Sequence, residues 1–192
     1  MSITRMRDEG NARRILVTAA AGMAMAGALA AGSAAHAATT SIIVREGCTG
    51  VSGQISFQPG LLSARAQQVR AVLSSTTSGC TDAINGPQAG TGSFTAQLAG
   101  NASLGAENFT GTFTINWPAS AGLNPSNGTL TVTQSNGAEL VGGTITNGAF
   151  TGSPMHLTFV ITGNTGNGSR NRPVTAQTFV NSQPLQVTQN LG

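Results

Sequence analysis

The sequence predicts an all-β domain, an antiparallel β-sandwich of about eight or nine strands, preceded by a cleaved helical signal peptide. Three observations carry this. From Cys48 onward apolar and polar residues alternate with period two. Helical spacing never lasts more than about two turns in that region. Gly, Pro and Asn clusters interrupt the alternation every 8–12 residues or so, the rhythm of a sandwich.

The elements follow in order. Val51, Ile55 and Phe57 share one face of a first strand, against Ser52, Gln54 and Ser56, and the strand stops at Pro59-Gly60. Leu61 to Gln68 reads as a short helix or a loop. A strand then runs from Val69 into Ser78, with Cys80 just past its end. Phe94, Ala96 and Leu98 alternate with Ser93, Thr95 and Gln97. Phe109, Phe113, Ile115 and Trp117 alternate with Thr110, Thr112, Thr114 and Asn116, and this strand ends at Pro118. Asn136-Gly137 and Asn147-Gly148 each read as a two-residue type I′ hairpin turn. Folding about the first sets Val132 opposite Val141 and Leu130 opposite Gly143. Folding about the second sets Ile145 opposite Phe150, and all the large apolar residues then share one face while Thr129, Thr131, Thr133 and Thr144 take the other. Beyond Pro154 the apolar positions move from even (Phe150) to odd (Leu157, Phe159, Ile161), which places a one-residue bulge or corner at Ser153-Pro154. Gly163 to Asn171 reads as a long hairpin loop, and Val174 to Val180 and Leu185 to Thr188 supply two more strands.

Residues 1–37 have the three parts of an export signal: a basic stretch to Arg14, an apolar run from Ile15 to about Ala31, and the Ala35-His36-Ala37 triplet that a signal peptidase reads. The run is too short and too rich in Ala and Gly for a membrane span, which needs about 20 strongly apolar residues. Arg13-Arg14 before apolar residues fits twin-arginine export, and general secretion fits equally. The expected division is 1–37 signal peptide and 38–192 a single all-β domain, with cleavage between Ala37 and Ala38 and a secreted, extracellular product. Two cysteines in an exported chain imply a Cys48–Cys80 disulfide, with Cα atoms roughly 4.4–6.8 Å apart.

Of the 192 residues 8% are charged, and neither Lys nor Tyr occurs. After the leader, five arginines face Glu46, Asp82, Glu107 and Glu139, a net charge of +1. A nucleic-acid binder needs clustered Lys and Arg along one face, so nucleic acid is not expected as a partner. Thr, Ser, Asn and Gln make up 62 of the 155 residues from Ala38, so solubility rests on hydroxyls and amides.

Cys48-Thr49-Gly50, Ser56-Phe57-Gln58-Pro59-Gly60-Leu61, the Gly111–Trp117 strand and the Gly143–Gly152 segment resemble a group of small secreted actinobacterial proteins of uncharacterised function. The resemblance covers nearly the whole mature part. It implies secretion and a β-sandwich, and it brings no activity and no site residues.

Candidate chemistry is sparse. A Ser–His156–Asp82 triad lacks the Gly-x-Ser-x-Gly elbow, and the ordinary reading of His156 is a solvent-facing strand end, or a partner for Glu139 opposite it. A glycosidase needs two carboxylates about 5–10 Å apart; Glu46, Asp82, Glu107 and Glu139 all lie at turns or strand ends, where solvated carboxylates are the default. Asp82-Ala83-Ile84-Asn85-Gly86 lacks the further acids of a calcium loop and reads as a turn. Trp117 continues an inward face and belongs to the core rather than to a sugar-stacking platform. Arg170 and Arg172 could hold an acidic wall polymer, against the plainer reading of a solvated loop. No cofactor, metal or catalytic residue is expected. The function expected is that of a non-catalytic binding or structural component at the cell exterior, with a wall polymer, other extracellular polymer or protein as partner, and with no membrane span in the mature protein. The alternative is a secreted hydrolase working through a carboxylate pair. Protein recovered from the culture medium is expected to begin at Ala38; an intact mass that retains the leader would contradict the cleavage reading.

Overall fold

The computed structural model of the protein describes residues 41–191; the expected signal peptide, residues 1–37, and the expected cleavage between Ala37 and Ala38 lie outside the described residues. Nine antiparallel strands form: β1 Ser41–Leu61, β2 Gln67–Asp82, β3 Gly86–Pro87, β4 Gly92–Ser103, β5 Ala106–Asn116, β6 Ser126–Ser135, β7 Ala138–Asn147, β8 Pro154–Asn164 and β9 Val174–Leu191. A single 3-10 turn, Ala119–Ala121, is the one helical element among the described residues.

The strands do not divide into two sheets. β2, β4, β5, β6, β7, β8 and β9 pair in succession, and β1 bonds to β2 on one side and to β9 on the other. The result is a closed eight-stranded up-and-down barrel, with the two-residue β3 appended to β2. This corrects the expected sandwich. Alternation along a strand is the same in both architectures, and what separates them is pairing between residues over a hundred positions apart, such as Ser52 with Val180. Closure leaves no open sheet edge.

The lumen is filled with side chains. Phe57 on β1 stacks on Phe109 on β5 at 6.2 Å, across three intervening pairings of the wall. Phe94 packs on Phe113 at 5.8 Å and Phe159 on Phe179 at 4.4 Å. Val51, Ile55, Leu73, Ile115, Val132, Val141, Ile145 and Leu157 complete the core. Outward positions carry Thr, Ser, Gln and Asn: on β5 and β6, Thr110, Thr112, Thr129, Thr131 and Thr133 are exposed while Phe109, Phe113, Leu130 and Val132 are buried. Polar outside and apolar inside is the reverse of a lipid-facing barrel, and among the described residues no helix is long and apolar enough to cross a membrane.

The register of β6 and β7 is as the Asn136-Gly137 turn dictates: Val132 opposes Val141 and Leu130 opposes Gly143, with positive φ at both Asn136 and Gly137. The second turn differs. Gly148 has φ 90° but Asn147 is not in that region, and Phe150 takes φ 62° at the tip of a wider loop closed by Gly152 donating to the Ile145 carbonyl. Phe150 is therefore a turn residue, half-buried edge-on against Trp117 at 5.4 Å. The strand pairing resumes with Thr144 opposite Pro154, so the shift of apolar parity is absorbed by this loop and no bulge at Ser153-Pro154 is required. β9 is one long strand rather than two, with register shifts against β8, and the segment Leu62–Ala66 is irregular.

Cys48 and Cys80 are joined in a disulfide and are direct register partners on β1 and β2. Their Cα atoms are 3.9 Å apart, shorter than the expected separation. Inward parity switches on both strands just beyond the bridge: Glu46 and Cys48 point inward on β1 and then Val51, while on β2 Gly79, at φ 59°, separates Thr77 from Cys80.

Glycine in the wall lets large residues fill the lumen. A Cβ on Gly128 of β6 would lie 2.7 Å from the Phe113 ring and would strike the Thr144 carbonyl oxygen, whereas a Cβ on Gly142 meets nothing within 4 Å. Gly128→Ala is expected to destabilise the barrel by about 1–3 kcal/mol and Gly142→Ala to be near neutral, as read by urea unfolding midpoints; equal midpoints for the two variants would contradict this packing.

Candidate functional site

In an up-and-down barrel the connections alternate between two ends. At one end, here the hairpin end, lie the β1–β2, β4–β5, β6–β7 and β8–β9 connections. There the β1–β2 segment straps the opening: Leu104 N–H donates to the Leu62 carbonyl at 3.0 Å and Ser63 N–H to the Gly168 carbonyl at 2.8 Å. At the opposite end lie the disulfide, the start of β1 and the finish of β9.

All four acidic side chains among the described residues are buried, which corrects their reading as solvated turn residues. Glu46 and Glu139 are 0% exposed, Asp82 2% and Glu107 5%. They fall into two pairs. Glu46 opposes Asp82 in register beside the disulfide. One Asp82 carboxylate oxygen accepts from the backbone N–H groups of Ile84 and Asn85, both at 2.7 Å, so Asp82-Ala83-Ile84-Asn85 is a turn stapled by its own acid. Gln88 Nε2 donates to Glu46 Oε2 at 3.2 Å. Burial, with the Asp82 charge second, raises the Glu46 carboxyl to about 7; the Gln88 hydrogen bond and Arg45 act the other way.

Glu107 and Glu139 form the second pair, at the hairpin end. Gln134 on β6 is the register partner of Glu139 on β7, and Glu107 lies on the far side of β6, one position before the Asn108–Thr133 pairing. No donor of hydrogen-bond geometry reaches any of the four carboxylate oxygens, and the Gln134 side-chain oxygen is also unpartnered. Burial first, and then the Glu139 charge, pushes the Glu107 carboxyl up to about 8. Burial raises Glu139 to about 7, with the nearby Gln134 side chain acting the other way. The alternation itself could have found both acids: Glu107 has the parity of Phe109 and Phe113, and Glu139 that of Val141 and Ile145.

The other candidates do not assemble. His156 is exposed and pairs with Gly142, while Glu139 pairs with Phe159 and points inward, so the two do not meet. His156 lies outside and Asp82 inside the wall, which leaves the triad without geometry. Trp117 is buried, and its ring N–H donates to Ser126 Oγ at 2.9 Å, as a core residue with a polar handle. Arg170 and Arg172 are exposed in the β8–β9 loop, pinned by the Ser169–Arg172 bridge. Among the described residues no three His, Cys, Asp or Glu converge on a metal position.

On the outer wall, a shallow trough of about 690 Å³ crosses β5 to β8. Gly142, at an outward position with no side chain, lowers its floor, Gly111 and Gly143 line it with backbone, Thr110, Thr112, Thr129, Thr131 and Thr144 offer hydroxyls, and His156 stands at one side. No charged side chain lines it. Periodicity put the threonines outside, and the hollow between them includes the bare outward position of Gly142. Compared with protein-family models, curated proteins and solved structures, the chain has no match.

Three carboxyls whose ordinary value is 4.5 are raised to about 7–8 in the folded chain. Their neutral forms are the ones the fold accommodates, so the stability they leave intact is fully present below about pH 4.5 and is lost as pH rises through 7 to 8. Thermal unfolding is expected to show a falling Tm from pH 5 to 9, with Glu107→Gln flattening the slope; a Tm that rises over that interval would contradict the burial of these acids as neutral groups.

Proposed function

We propose that the mature protein is a secreted, non-catalytic binding component at the cell exterior, with an uncharged polyhydroxylated wall polymer as partner. The observation that carries this reading is the outer wall. It is a nearly uncharged field in which hydroxyls and amides predominate, and among its shallow hollows the trough across β5–β8 is bordered by five threonines. Such a surface exchanges hydrogen bonds with a neutral sugar chain, and waters bridge what does not touch directly. A disulfide is compatible with an extracellular location, and the resemblance to small secreted actinobacterial proteins agrees with it.

The hydrolase alternative has one observation in its favour: Glu107 and Glu139 do come together. Against it, a retaining or inverting mechanism needs one carboxylate ionised beside a protonated partner. Here burial drives both toward the protonated form, and neither lines the trough.

The test is co-sedimentation of the mature protein with insoluble wall polysaccharide. The protein is expected in the pellet, and Gly142→Leu, which fills the trough from a position where a Cβ meets no neighbour, is expected to weaken binding severalfold with an unchanged Tm. Absence from the pellet would sink the binding reading, and release of soluble sugar abolished in Glu107→Gln would favour the hydrolase.

A further inference from the structure

The two ends of the barrel are held in different ways. One is stapled covalently between β1 and β2 by Cys48–Cys80, and its buried Glu46, unlike the acids of the other end, accepts a hydrogen bond from Gln88 Nε2. The other is closed by a strap of backbone hydrogen bonds, Leu62 with Leu104 and Ser63 with Gly168, above a wall that carries two carboxyl groups facing inward. Those two groups, Glu107 and Glu139, have four oxygens without a donor and are 5% and 0% exposed.

The geometry points to a proton-operated closure of the hairpin end: protonated Glu107 and Glu139 keep β5, β6 and β7 closed over the lumen, and their ionisation opens this end while the disulfide end stays shut. A buried carboxylate with neither a counter-charge nor a donor is among the costliest groups a fold can hold, whereas the neutral acid is tolerable. The one neighbour that favours ionisation is the Gln134 side chain, which acts on Glu139. Facing the pair are Ala102 on β4, Gln134 on β6 and Phe159 on β8, all uncharged. The arginines of the same end, Arg65, Arg170 and Arg172, are exposed, and the only charge acting on Glu107 is that of Glu139. On opening, each carboxyl passes its proton to solvent water and becomes a hydrated carboxylate. Between the ordinary carboxyl range and the folded value, each group that ionises on opening shifts the opening equilibrium about tenfold per pH unit.

Amide hydrogen exchange of the mature, disulfide-bonded protein at pH 5.5 and 8.0, corrected for intrinsic exchange, tests this. Protection at residues 106–109, 133–135 and 138–140 is expected to fall at least tenfold at the higher pH, while residues 48–51 and 77–80 keep theirs. Glu107→Gln and Glu139→Gln, each close in shape to the neutral acid, are each expected to reduce the response. A loss of protection equal at both ends would mean global unfolding and overturn the proposal. So would a pH response unchanged in both variants, or protection at 106–109 that does not change with pH.

Discussion

Everything in this molecule depends on β1 bonding to two partners at once. Its middle section, Gly53 to Ser56, hydrogen-bonds to β2 on one side and β9 on the other, and this one strand turns a meander into a barrel. Without its second partner the eight strands would form an open sheet with an apolar face and two unpaired edges, a template for aggregation. With it, every inward position becomes interior and the core has a fixed volume. The inward Phe residues then have no option but to meet across the lumen.

That enclosure also explains the acids. A carboxylate at a strand end in an open sheet can turn to water, but at an inward position of a closed barrel it cannot. Glu46, Glu107 and Glu139 pay in protonation what they would otherwise pay in charge burial, and the shift follows from position rather than from a specialised environment. The pairing of Glu107 with Glu139 strengthens the effect, since two negative charges in one apolar space repel as well as desolvate.

Local order was legible in the sequence and closure was not. The faces of β5, β6 and β7 could be read from Phe113, Val132 and Val141 against their threonine neighbours, and the Asn136-Gly137 turn fixed the register because only positive φ suits both central residues. Cys48–Cys80 followed from export chemistry. The barrel itself depends on Ser52 meeting Val180, and no pattern within one strand encodes that. Phe150 misled for a different reason: an aromatic residue in αL is costly and is held here by its edge contact with Trp117, a tertiary effect invisible to periodicity. Glu107 and Glu139 were hidden by the habit of assigning charge to solvent at strand ends, although their parity with Phe109 and Val141 pointed inward. The trough was beyond reach, since it depends on which strands pair around the bare outward position of Gly142 rather than on a motif.

The glycine wall carries one more implication. Gly111, Gly128 and Gly143 sit on three adjacent strands around Phe113 and Leu130, with missing side chains on one part answered by bulk on another. Container and contents are thus set by a handful of positions, and the same architecture can be emptied as readily as it is filled. Shortening the residues that project from beneath those glycines would leave a dry apolar chamber inside an intact hydrogen-bonded shell, of the sort that accepts small hydrophobic guests. The scaffold therefore lies a few substitutions away from being a vessel.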